Sequence, residues 1–130
     1  MPMPADIAQT YRAFAYNNAW CNHRLLTACS ALTVEEFQAG RAGFFPSLPQ
    51  TLNHILIVDW FYVDALEGGM LGPKAWESEM PCPELPQLHR AQRAVDQRLI
   101  SVCDALTPER LDRTVTINRG AQLQSERCDR

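Results

Sequence analysis

Apolar residues recur at helical spacing in three long stretches of the chain and alternate like a strand in one short one. The stretch Ser47 to Gly68 organises the rest. Leu52, Ile55, Leu56, Asp59, Val63 and Leu66 make one stripe, and Ile57, Val58 and Phe61 lie near His54 on a second. The run His54–Val63 has a composition that also suits a strand. Helix is favoured by its flanks. Ser47 and Gln50 stand at capping-box spacing, Pro49 is tolerated in a first turn, and Gly68-Gly69 supplies a stop. The distance between these signals is too long for an ordinary strand. A helix apolar on more than one side is packed among several neighbours, so this one is expected at the centre, with His54 aimed into an interior site.

A first helix is predicted from an Asp6 cap to about Leu32, with a seam of Ile7, Tyr11, Phe14, Asn18, Cys21, Leu25, Cys29 and Leu32. Thr33 then opens a connection containing Gly40, Gly43 and Pro46, in which Glu35-Glu36-Phe37 can add a helical turn. A Pro/Gly-rich link follows the central helix, and Trp76 is expected to pack it onto the bundle. The third helix is predicted from about Glu84 to Leu106. Its seam is Leu85, Leu88, Gln92, Val95, Leu99, Val102 and Leu106, and its outer face of Arg90, Arg93, Asp96, Gln97 and Arg98 reads as solvated. Thr107-Pro108 ends the helix or starts a short turn. Thr114–Ile117 alternates like a strand, Asn118-Arg119-Gly120 suits a turn, and Gln122–Ser125 can return as a hairpin. The fold class is therefore all-α, with three long helices and a C-terminal β-hairpin in one domain over 1–130. The doubly apolar middle helix calls for one more covering element: the hairpin, a second chain, or a fourth helix.

Composition narrows the function classes. The chain has 130 residues, 46% of them apolar, which is enough for one domain with a real core. The formal charge of −3 and the scattered arginines give no nucleic-acid footprint. No charge-free apolar run is long enough to span a bilayer, and Met1–Thr10 lacks the order of a signal peptide, so a cytoplasmic location is expected. The five cysteines (Cys21, Cys29, Cys82, Cys103, Cys128) form no C-x-x-C pair and read as reduced thiols, mostly packed as small hydrophobes.

Asn18 lies in the first seam and Asn22 one turn beyond it. Buried amides need partners, so these belong to a polar network or to the lip of a site. Asp59 is five positions from His54, off its face, and is expected to make a polar contact between helices, such as to an asparagine of the first helix. His89, three residues before Gln92, can reach an interior edge, whereas His23 is expected outside. Without further information a lone His54 is a hydrogen-bonded core or boundary residue, and Cys21 a packing residue.

Three stretches together resemble the DinB/YfiT-like family, in its damage-inducible DinB branch. Tyr16-Asn17-Asn18-Ala19-Trp20-Cys21-Asn22-His23-Arg24-Leu25 is similar to the family's YNxWANxRL. Phe44-Phe45-Pro46-Ser47-Leu48-Pro49-Gln50-Thr51-Leu52-Asn53-His54-Ile55-Leu56 is similar to FFxSxxxTLNHIL, with Val58-Asp59 following. Gln92–Leu99 is a looser match. The resemblance implies an up-and-down four-helix bundle with a metal site between helices. It places one ligand at His54 and two more histidines on a fourth helix, in a His-x-x-x-His-Arg-Gly-Gln-type motif. That motif does not occur here, and the chain is expected to be truncated before the fourth helix.

A three-histidine site suits a divalent metal such as zinc or nickel. The expected function is therefore that of a DinB-like metal-binding protein, a metal-dependent thiol transferase or hydrolase with a small-molecule or thiol substrate, whose metal site is incomplete in this chain. The alternative is a non-catalytic bundle acting as a dimerisation module, or an inactive truncated product. A homodimer is expected, with neither nucleic acid nor membrane as partner. "Damage-inducible" concerns gene control and says nothing of chemistry.

Overall fold

The computed structural model describes residues 6–129, so the leader reading of Met1–Ala5 lies outside it. Helix α1 spans Ile7–Cys29, and its first turn is closed by Asp6, whose Oδ1 accepts from the Ala8 N–H at 3.1 Å. It stops short of Leu32 because a new helix begins. Thr33 and Glu36 form a reciprocal capping box that starts α2, Val34–Gln38. Ser47 caps α3, Leu48–Leu66, by accepting from the Gln50 N–H. The predicted strand-like run is thus helical throughout. A 3-10 turn at Gly72–Trp76 interrupts the link. Helix α4 covers Leu85–Asp104, and Thr107 caps the short α5, Pro108–Asp112. Strands β1, Thr114–Asn118, and β2, Leu123–Arg127, form an antiparallel hairpin with Thr116 opposite Ser125.

Side-chain pairs fix the directions. Tyr16 meets Asp104 and Asn22 meets Asp96, so α1 and α4 are antiparallel. Asp59 meets Gln92 and Glu67 meets Arg98, so α3 and α4 are parallel. The helices run up, down, down. The long link carries the chain back between α3 and α4.

The main core lies where α1, α2, α3 and α4 meet, around Leu26, Phe37, Leu52, Leu56, Leu88 and Val95. Leu56 is completely buried; a side chain so placed contributes about 1.5–3 kcal/mol. A second core joins Ile57, Phe61 and Ala65 of α3 to Ala75 and to Val115 and Ile117 of β1. The hairpin is therefore a covering element for α3, over its C-terminal half. Gly72 makes the link–hairpin junction. Its φ is +55°, and a Cβ there would stand 2.5 Å from Asn118, whose amide donates to the Met70 carbonyl.

One expectation about faces holds only in part, with Tyr11, Asn18, Cys29 and Leu32 of the predicted first seam turned to the bundle, and another fails. The inward face of α1 is Ala8, Ala15, Leu26 and Cys29, while Ile7, Phe14, Cys21 and Leu25 of the predicted seam are exposed. The alanine side packs inward because small side chains let α4 approach. Asp96, read as part of a solvated face, is buried with 5% exposure.

Candidate functional site

Helix α3 divides into a covered half and an open one. Where the hairpin ends, Gln50, His54, Ile57 and Val58 form one wall of a cleft of about 420 Å³. Phe45 from the loop before α3 closes one side, and Trp76, Glu79 and Met80 from the link close another. Trp76 is anchored on Phe61 with ring centres 5.1 Å apart, so it does pack the link onto the bundle. The walls are mostly apolar, with an imidazole, a carboxylate, an amide and a thioether among them, a mixture typical of small-molecule sites.

His54 is not buried. Its ring is exposed at the cleft, 4.7 Å from the Phe45 ring and tilted 35° to it. The inward aim expected from the sequence fails because Leu52, Asn53 and Leu56 take the core-facing positions of this turn. His23 and His89 take no part in the cleft. As expected, His23 is exposed and His89 is half-buried. The two rings are neighbours, 5.6 Å apart between centres.

The TLNH stretch does its structural work through Asn53. This side chain is fully buried. Its Nδ2 donates to the carbonyls of Pro49 and Cys82, its Oδ1 accepts from the Cys82 N–H, and all three distances are 2.8 Å. The end of the link is thereby fixed to the start of α3, just below the cleft.

The other polar centre lies between the three long helices. Asp96 accepts from Asn22 at 3.0 and 3.2 Å, from Asn18 at 3.3 Å and from Gln92 at 2.9 Å. Gln92 uses its second N–H on Asp59 at 2.8 Å. Asn18 and Asn22 are thus network residues. Asp59 finds Gln92 of α4 rather than an asparagine of α1. Among the described residues neither carboxylate has an ion-pair partner. Burial pushes both carboxyls up from their ordinary range. The Asp96 charge adds to the shift at Asp59, and the amide donors oppose it at both. The sequence signal for Asp96 was the pair of seam amides in need of an acceptor, together with Gln92 one turn before it.

Cys29, Cys82 and Cys103 are buried and unpaired, and burial raises each thiol above its ordinary pKa, away from the reactive thiolate. Cys21 is exposed and lies outside the cleft. Among the described residues no three His, Cys, Asp or Glu side chains converge as a metal would require, and no helix is long and apolar enough to cross a membrane.

The DinB family model matches residues 3–126. No curated protein matches the sequence.

Proposed function

The chain belongs to the DinB family, and from that premise we propose that the His54 cleft is its working site, binding a small, largely apolar or thiol-bearing molecule. The observation that carries this reading is the position of His54: an accessible imidazole at the edge of an apolar-walled cleft that also contains Glu79. His54 orients a bound molecule by hydrogen bonding, and the aromatic side chains of Phe45 and Trp76 cover its apolar part.

In this reading His54 is also one donor to a divalent metal, zinc or nickel, in keeping with the metal association of the family. The described residues do not by themselves fit such an ion, since they supply one imidazole where three or four donors are needed. No reaction step is therefore assigned to a metal. Thiol transfer or hydrolysis is the reaction class to which the reading extends.

The experiment is a metal analysis and a small-thiol binding titration on the purified chain and on His54→Ala. Ligand or metal binding that weakens about tenfold or more in His54→Ala supports the reading. Equal binding by both proteins removes His54 from the site.

A second reading has its own observation. Ile7, Phe14 and Leu25 leave the exposed face of α1 apolar, at 53%, 65% and 45% exposure. This favours a non-catalytic bundle that pairs as a homodimer through that face. Sedimentation equilibrium decides it: a monomer at all concentrations ends that reading, and loss of dimer in Phe14→Glu supports it.

A further inference from the structure

The end of α1 and the start of α4 enclose a second surface cleft, of about 380 Å³, which shares no residue with the His54 cleft. Ser30 supplies the α1 side. Leu85, Pro86, His89, Arg90 and Arg93 supply the α4 side. The chain carries a net charge of −3, yet this cleft is lined by two guanidinium groups and no acid.

Neither arginine is neutralised. Among the described residues the arginines in ion pairs are Arg12, Arg98 and Arg127. Arg90 and Arg93 stand three positions apart on α4, where side chains are neighbours on one side of a helix. Their field reaches the groups beside them. Burial raises the Cys82 thiol pKa and Arg90 opposes the rise. Burial lowers the pKa of His89, and His23 and Arg93 lower it further.

We propose that this cleft binds the phosphate group of a small organic phosphomonoester. Guanidinium groups match phosphate oxygens with paired, charge-assisted N–H donors. The start of α4 adds to them. The first-turn N–H groups of Leu85 and Gln87 have no partner within the helix, and the Glu84 side chain does not cap them. They form the positive end of a 20-residue helix whose first residue lines the cleft. His89 contributes a further donor. Its Nε2 is buried without a hydrogen-bond partner. A buried N–H without an acceptor is the costlier state, so the surroundings assign the proton of the neutral ring to Nδ1.

The α1 side of the cleft offers little to an anion and little against it. Ser30 spends its hydroxyl proton on the Leu26 carbonyl at 3.0 Å. The carbonyls of Leu26, Thr27, Ala28 and Cys29 accept from the N–H groups that follow, which mutes their repulsion. Leu85 and Pro86 give an apolar wall that suits the organic part of an ester better than a bare ion. Both guanidinium groups are exposed, so salt screens their attraction and binding is salt-dependent.

The test is a titration of the full chain with phenyl phosphate at pH 7.5, read by calorimetry. Arg90→Gln and Arg93→Gln should each weaken binding about tenfold or more, the size of a lost hydrogen bond to a charged group. Affinity should fall as sodium chloride rises from about 0.05 M to about 0.5 M. Benzoate has a similar body with a carboxylate, and inorganic phosphate lacks the body; both should bind more weakly. The two arginines are exposed, so their variants keep the fold, which circular dichroism checks. His54→Ala should bind phenyl phosphate as the wild type does, which separates this site from the His54 cleft whatever the outcome there. Unchanged affinity in either arginine variant overturns the proposal, and so does equal affinity for benzoate or for inorganic phosphate.

Discussion

Replacing Asp96 by alanine tests whether the bundle is closed by a polar network or only by apolar packing. Asp96 is 5% exposed and accepts from Asn18, Asn22 and Gln92. Removing the carboxylate strands these donors unequally. Asn18 and Asn22 are half-buried and reach water, while Gln92 is buried but keeps its bond to Asp59. Buried donors that lose an acceptor cost about 1–3 kcal/mol each, and bonds to a charged group lie at the upper end. The partial rescue by water and by Asp59 reduces the total. So does relief of a buried charge without an ion-pair partner. The expected net loss is about 2–4 kcal/mol, which for a chain of this size lowers Tm by roughly 10 °C. Urea unfolding followed by circular dichroism measures it, with Gln97→Ala as the exposed neighbour. An exposed residue on the same helix should change stability by no more than about 0.5 kcal/mol. If Asp96→Ala also falls within that range, Asp96 is a solvated residue, as its sequence position suggested, and the network contributes nothing.

The remaining predictions concern the same two polar centres. Both Asp59 and Asp96 have carboxyl pKa values raised in the folded state, so the native protein binds more protons than the unfolded chain between the ordinary carboxylate pKa of about 3.9 and the raised folded values. Stability from this pair is greatest below that window and falls as pH rises through it. Wild type should therefore gain stability relative to Asp59→Asn as the pH of the urea unfolding is lowered from 7.5 through this window to about 3.9. A difference that is flat or of opposite sign contradicts the burial argument. Asn53→Ala leaves the Cys82 N–H and carbonyl without their partners and should cost roughly 3 kcal/mol. It should also make the link between α3 and α4 more sensitive to limited proteolysis, while an unchanged cleavage rate would mean that packing alone holds the link.

Much of the chain could be read locally. The helix starts at Asp6 and Ser47 were legible because their chemistry is local, each accepting from a nearby backbone N–H; Thr33 and Thr107 cap in the same way but were read only as a connection and a turn. The hairpin was legible because Val115 and Ile117 alternate with polar neighbours. The motif stretches identified the family. Which face of a helix turns inward was another matter. Periodicity locates a stripe, but on α1 only the Tyr11, Asn18 and Cys29 side of the predicted one faces the bundle, and the approach of α4 at Ala15 and Asn22 sets that rotation. The same limit hid Asp96, whose burial depends on a residue 74 positions away. It also misplaced His54, because a ring one position past a core residue can face inward or outward until the neighbouring elements are in place. The pairing of His23 with His89 belongs to that second class as well, since no local rule links positions on helices that meet only after folding.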